Sequence, residues 1–112
     1  MSPPTALQVV KIVHTLAWVF FAGCIVAIPF ATYAGDFFAS CVLIAIVLVE
    51  VLVLIVNRWR CPLTDVAARY TADRRDNFDI FLPELLARHN KLIFGSLFVA
   101  ALVYTLIAWV AM

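Results

Sequence analysis

Five polar side chains of the kinds that bind protons, metal ions or cofactors stand within or beside long apolar segments of this chain. They are His14, Glu50, Asn57, Cys61 and His89. Glu50 carries the strongest signal, because the segment that contains it, residues 37–56, is otherwise almost entirely apolar. A carboxylate about 10 Å inside a bilayer is costly, so it must face protein or water. We therefore expect Glu50 to lie against groups from neighbouring helices.

Helical spacing relates Glu50 to the other four residues. Asn57 and Cys61 follow it by seven and eleven positions. If the helix continues that far, these two residues lie within about 20° of Glu50, one on each side. His14 enters the first apolar segment and His89 precedes the last. We predict that all five side chains form one polar cluster at a single membrane face.

Several chemistries are open to such a cluster. Glu50 either pairs with His14 or Lys11 and holds the helices in register, or takes part in a proton relay. His14 and His89, on two different helices, match the axial ligands of a b-type haem. A metal site formed by the two histidines and Cys61 would lack the close spacing of CxxC or HxxxH, so we predict no metal.

Cys61 has a separate interpretation. Arg58 and Arg60 precede it closely in the sequence, and nearby guanidinium groups lower the pKa of a thiol and make it reactive. The alternative is that both arginines extend to lipid phosphates while Trp59 anchors the chain among the headgroups.

The composition is that of an integral membrane protein. Of the 112 residues, 66% are hydrophobic and 13% are charged, and the mean hydropathy is +1.07. Soluble domains are only about half apolar. The net charge is +1, and the basic residues alternate with acids between residues 65 and 84. Such a pattern forms no basic patch, so we predict no nucleic-acid partner.

Three apolar segments are long enough to cross a hydrocarbon core of about 30 Å, which takes roughly 20 helical residues. They run over about residues 12–33, 37–56 and 92–112. Each must be helical, because lipid offers backbone groups no hydrogen-bonding partner. The sequence predicts an all-α membrane protein, a single membrane domain over residues 1–112. Three transmembrane helices are expected, with an amphipathic interfacial segment, 57–91, between the second and third.

This interfacial segment contains its own helix signals. Pro62 stops the second helix, and Thr64 can cap a new one whose apolar positions fall on one face. Pro83 and Glu84 favour the start of the third long helix. Residues 1–6 include two prolines, and we expect them to form a short unpaired lead.

The lysines and arginines indicate an orientation. Lys11 precedes the first span and the other seven basic residues fall within 57–91, whereas the loop at 34–36 has none. Since positive residues near helix ends stay in the cytoplasm, we predict a cytoplasmic N-terminus and an outward C-terminus. The first apolar segment, ending near Ala34, also resembles a signal peptide. We expect it to be retained, because its apolar stretch exceeds the roughly 7–15 residues that signal peptides use.

The stretch WRCPLT, residues 59–64, carries a resemblance. Together with His14 early in the first span and an aromatic, leucine-rich return into the last, it resembles a family of uncharacterised bacterial inner-membrane proteins. That family carries a Trp-x-Cys-Pro-Leu-Thr motif after its second transmembrane helix. The resemblance implies a bacterial inner membrane with a periplasmic C-terminus, and it supplies no reaction. The family's usual acid lies nearer the motif than Glu50 does. The motif positions are Trp59, Cys61, Pro62, Leu63 and Thr64.

These observations favour a small inner-membrane protein without enzymatic activity. We expect it to act in the lipid bilayer as an accessory or assembly partner, forming a homo-oligomer or binding another membrane protein, because three helices alone shield Glu50 poorly. No cofactor is predicted. The alternative is a redox or proton-handling module that uses the polar cluster, with haem b between His14 and His89.

Overall fold

The computed structural model describes residues 2–111, apart from the side chain of Pro3, and this part of the chain is all-helical. Its helices are α1 (Pro3–Tyr33), α2 (Phe37–Val56), α3 (Pro62–Ala68) and α4 (Glu84–Val110). Helices α1, α2 and α4 are long and apolar enough to cross a membrane. Short α3 lies between the second and third of them, so the predicted fold class is confirmed. The predicted end of the third span, residue 112, lies outside the described residues.

Three predicted boundaries differ from the structure. The prediction that residues 1–6 form an unpaired lead is wrong, because α1 already begins at Pro3. The first turn of a helix leaves its N–H groups unpaired, and proline suits this position because it has no N–H. Thr64 does not cap α3, since the N-cap is Cys61 and Pro62 takes the first helical position. Pro62 does not stop α2, because this helix ends at Val56, six residues earlier, where the predicted second span, 37–56, also ends. The spans themselves agree with the hydropathy because each needs only a local run of apolar residues.

Helix α1 is the centre of the bundle. It packs against α2, α3 and α4, whereas α2 and α4 touch each other little. The described chain is 55 Å long and about 25 Å across, which suits a hydrocarbon core of about 30 Å with polar ends. The buried core is apolar and comes from all three long helices. Its members are Cys24, Ile25, Ile28, Val47, Phe98 and Ala101.

A tight turn joins α1 to α2. The N–H of Asp36 donates to the carbonyl of Ala31 at 2.9 Å, and the N–H of Gly35 donates to that of Thr32 at 3.0 Å. This is the Schellman pattern, and Gly35 has the positive φ of 79° that the pattern requires. The Asp36 carboxylate then accepts from the N–H of Ala39 at 3.0 Å and caps α2.

Three hydroxyl groups tie the long helices together near this turn. Thr32 Oγ1 lies 2.9 Å from Ser40 Oγ and 2.8 Å from Thr105 Oγ1, so α1 is linked to both α2 and α4. All three residues are buried. An apolar interior leaves a buried hydroxyl no other partner, and these contacts fix the rotation of the helices about their axes.

Candidate functional site

The end of the bundle opposite the Gly35 turn holds an acid and a histidine in contact. His14 Nδ1 lies 3.1 Å from the backbone carbonyl oxygen of Asp79 and 3.4 Å from its carboxylate Oδ2. Because a carbonyl can only accept, Nδ1 carries a proton and donates it to this oxygen. The hydroxyl of Thr64, at the start of α3, donates to the same carboxylate oxygen. We call His14, Thr64 and Asp79 the 14–64–79 latch.

A second set of contacts holds the chain beside the latch. The N–H of Phe81 donates to Thr15 Oγ1 at 2.9 Å, and this hydroxyl donates to the carbonyl of Lys11 at 2.7 Å. The Lys11 ammonium lies 4.4 Å from the centre of the Phe81 ring, a favourable cation–π distance. Asp79 and Ile80 are buried as a result. The interfacial segment is therefore packed against α1 through residues 79–81.

Glu50 does not join this latch. It is half-buried at the edge of the buried face of α2, about 60° around the helix from buried Val47. Its neighbour one turn back, Ile46, packs against the core. Within residues 2–111 its carboxylate has no hydrogen-bonding partner. The predicted pairing with His14 or Lys11 is not made, because those two side chains are engaged by Asp79 and Phe81.

The acids that contact a basic side chain all lie outside the long apolar run of α2. In the described part of the chain they are Asp65, Asp73, Asp76, Asp79 and Glu84. Glu50 stands six residues before the end of α2, which is about 9 Å of helix. Glu50 therefore lies well inside a candidate membrane span, and its carboxylate has no hydrogen-bonding partner within the described residues.

Asn57 and Cys61 reach the same end of the bundle by a different route from the predicted helical stripe. Asn57 is the C-cap of α2, and its amide donates to the carbonyl of Arg60 at 2.7 Å and to Asp65 Oδ2 at 2.9 Å. The chain then turns, so the prediction that Cys61 continues the helical face of Glu50 is wrong. The side-chain amide of Asn57 therefore forms hydrogen bonds that close this turn.

The thiol of Cys61 is half-buried and lies close enough to Glu50 to respond to its charge. Burial raises the pKa of this thiol, and the charges of Glu50 and Asp79 raise it further, while the N–H groups of Leu63 and Thr64 act in the opposite direction. The structure thus reverses the sequence hypothesis that the flanking arginines lower the pKa. Since the thiolate is the nucleophile, a raised pKa makes the Cys61 thiol less reactive.

His89 lies away from the other candidates. It is exposed, on a shallow apolar depression formed by residues 83–93 along the outside of α4. His14, by contrast, is turned toward Asp79. The structure therefore does not bring the two histidines into one pocket as a haem would require. Among residues 2–111, no group of three or more His, Cys, Asp and Glu side chains is arranged to hold a metal ion.

Two features of this site were not predicted from the sequence: the role of Asp79 and a second polar contact between helices. Asp79 is the acid inside the apolar stretch FDIFL, residues 78–82, and an acid so flanked was a signal for a buried partner. The indole N–H of Trp18 donates to Asn90 Oδ1 at 2.6 Å, and its ring meets Phe94 edge-on at 5.4 Å. This contact fixes α4 against α1. The only sign of it in the sequence was the amide side chain of Asn90, just before the predicted third span.

The backbone between α2 and α3 is held in an unusual conformation. The N–H of Trp59 donates to the carbonyl of Leu54, and the N–H of Arg58 donates to that of Ile55 at 3.3 Å. This is again a Schellman ending, here with Arg58 where glycine is usual. Arg58 and Trp59 have φ values of 59° and 66°, each of which costs of order 1–3 kcal/mol. Lys91 Nζ donates to the carbonyl of Trp59 and helps to hold the turn.

Comparisons with known proteins find no relative. No protein-family model, no curated protein and no solved structure matches this chain. The WRCPLT resemblance therefore remains a proposal.

Proposed function

We propose that this membrane protein is a non-enzymatic accessory or assembly factor of the bacterial inner membrane, and that it docks a second copy or another membrane protein over Glu50. The observation that carries the proposal is the half-buried Glu50 carboxylate at the edge of α2, which has no hydrogen-bonding partner among residues 2–111. The inner-membrane location rests on the WRCPLT resemblance.

The physical reason is the cost of a carboxylate among lipid chains. An acidic side chain near the centre of a spanning helix costs on the order of 2.5–3.5 kcal/mol, and this cost falls when a donor from another helix covers it. His14 and Lys11 supply no such donor, because both side chains are turned toward residues 79–81. A helix of another subunit that presents a hydroxyl, amide or basic group at this depth would supply it.

We expect Glu50→Leu to weaken self-association, or association with the partner, by about tenfold or more, and Glu50→Gln to weaken it less. Glutamine still forms hydrogen bonds, whereas leucine forms none, and interhelical hydrogen bonds in membranes are worth about 0.6–1.7 kcal/mol each. The measurement is the oligomeric mass in nanodiscs, by light scattering across a concentration series.

Val49→Leu is the matched control. Val49 is the preceding residue and is 62% exposed on the lipid side of α2, so its change should leave the mass unaltered. A wild-type protein that is monomeric at every concentration, alone and with its membrane proteome, would contradict the proposal.

A second candidate is proton handling. It is favoured because the charge of Glu50 acts on the Cys61 thiol, and because no group in the described part of the chain holds the Glu50 carboxylate. The same variant separates the two functions. If Glu50→Gln keeps the oligomer intact but removes a pH-dependent proton uptake in liposomes, the carboxylate is proton-active. If the oligomer dissociates, the assembly role holds. Haem is not part of this candidate, because His89 is exposed on the outside of α4.

The orientation that we propose has the N-terminus and the interfacial segment in the cytoplasm. It is supported by the eight lysines and arginines, none of which belongs to the 34–36 turn. After replacement of the native cysteines by alanine, we expect Ala34→Cys to react with a membrane-impermeant maleimide in cells with a permeabilised outer membrane. Ala72→Cys should react only after the inner membrane is opened. The reverse pattern would invert the orientation.

A further inference from the structure

We propose that the turn between α2 and α3, residues 57–60, is a binding site for the phosphate headgroup of an anionic phospholipid. Arg58 and Arg60 would contact the phosphate, Trp59 would lie among the glycerol and upper acyl groups, and Lys91 would hold the turn in shape. This site is separate from Glu50 and does not depend on the proposed assembly function. We refer to residues 57–60 as the 57–60 turn.

The backbone of the 57–60 turn is fixed on several sides. Its Schellman bonds tie it to the last turn of α2, the amide of Asn57 closes it onto the Arg60 carbonyl, and Lys91 binds the Trp59 carbonyl from α4. Two successive non-glycine residues with positive φ persist only where the surroundings impose them. The side chains of Arg58, Trp59 and Arg60 are all exposed. A strained, anchored turn that points three such side chains outward is preorganised for binding.

The arginines of this turn are paired with acids less closely than Arg75 and Arg88 are. Arg75 lies 2.8 Å from Asp73, and Arg88 lies 2.7 Å from Asp76. Arg60 approaches Asp65 only to 3.6 Å. Arg58 forms no ion pair within residues 2–111. Positive charge is therefore available at the 57–60 turn, whereas Arg75 and Arg88 are neutralised by close carboxylates. Arg69 and Arg74 also form no ion pair within the described residues, but neither belongs to the anchored turn beside Trp59.

The depth of the turn selects a lipid as the source of the phosphate. It follows directly after the 20 residues of α2, which are apolar apart from Ser40 and Glu50. These residues cover the hydrocarbon thickness and put residues 57–60 at the headgroup level. Trp59 is half exposed there, in keeping with the preference of tryptophan for this layer. Guanidinium groups bind phosphate oxygens through two parallel hydrogen bonds. Anionic headgroups attract each nearby arginine by a measurable amount.

The test uses quenching of Trp59 fluorescence by brominated lipids. The full chain is reconstituted in vesicles in which either phosphatidylglycerol or phosphatidylcholine is brominated, and the signal of Trp59→Phe is subtracted to remove the other tryptophans. We expect a preference for phosphatidylglycerol that falls about fivefold in Arg58→Gln, and further in the double variant with Arg60→Gln. Equal quenching by both lipids in the wild type would overturn the proposal.

Arg75→Gln is the matched control for charge. Its side chain is 70% exposed but paired with Asp73, so its loss should leave the lipid preference unchanged. An equal fall in Arg75→Gln would mean that only the overall charge matters and would overturn a specific site. Excess inorganic phosphate should not relieve the quenching, and relief by it would assign the site to a soluble phosphate.

Arg58→Gly separates the backbone from the charge. Glycine adopts a positive φ without strain, so the folded bundle should be as resistant to detergent unfolding as the wild type, or more so. The lipid preference should nevertheless fall as it does in Arg58→Gln. A glycine variant that keeps the full preference would show that the arginine side chain takes no part in binding.

Discussion

Replacing Asp79 with alanine should release the interfacial segment from α1 and destabilise the bundle by about 3 kcal/mol. The change removes the carboxylate that accepts from the Thr64 hydroxyl and lies 3.4 Å from His14 Nδ1, and it leaves both of these polar groups without that partner. Breaking a buried pair by deleting one member costs more than the pair itself contributes, because the remaining polar group stays buried. Stability can be measured by unfolding in mixed micelles with increasing dodecyl sulfate.

Trypsin gives a local readout of the same change. Arg74 and Arg75 lie in the loop between Thr64 and Asp79, so release of the latch should speed cleavage after these arginines. Asp79→Asn should cost less than alanine, because an amide oxygen still accepts the Thr64 hydroxyl. The matched control is Asp76→Ala, which removes an exposed ion pair with Arg88 and should change stability by less than about 1 kcal/mol. Equal effects of Asp76→Ala and Asp79→Ala would contradict the latch.

Thr32→Val should destabilise the opposite end of the bundle by about 1–3 kcal/mol. Valine has nearly the shape of threonine, but it removes the two hydroxyl contacts that link Thr32 to Ser40 and Thr105. Each such bond in a membrane bundle contributes about 0.6 kcal/mol on average, with an upper value near 1.7. The buried hydroxyls left behind add a desolvation cost.

A double-mutant cycle with Thr105→Val isolates the interhelical bond. We expect the two changes together to cost clearly less than the sum of the single changes, since both remove the same contact. Ser96→Ala serves as the control, because Ser96 is exposed on α4 and its loss should be nearly neutral. Strict additivity of the two threonine changes would mean that the hydroxyl contact contributes nothing to stability.

The candidate site could be predicted from the sequence only in part. The position of each polar residue along the chain predicts that these groups lie at the end of the bundle that carries the basic residues. His14, Asn57 and Cys61 lie at that end. Their partners were predicted wrongly. His14 binds Asp79 and not Glu50, because the partner depends on the path of residues 71–83 across α1. Such a path is set by contacts between residues 65 positions apart, such as that of His14 with Asp79.

The end of α2 shows the same limit. The apolar run predicted that the second span ends at residue 56, as α2 does, but the only local stop signal was Pro62 and the turn that ends the helix was not predicted. An arginine at the glycine position of a Schellman turn is disfavoured locally, and it is held there by Lys91 from α4 and by the Asn57 amide. No window of the sequence around residue 58 contains Lys91.

The sequence by itself determined the number of long helices, their approximate bounds, the short helix between the second and third, and the end of the bundle that carries the charges. These properties depend on sums over neighbouring residues, namely hydropathy, helix caps and prolines. Only the tertiary structure decided which way each helix is rotated about its axis. That rotation turns His89 outward, leaves Glu50 at the edge of the buried face of α2, and pairs His14 with Asp79. It is set by packing and hydrogen bonds between helices distant in sequence, which local patterns do not contain.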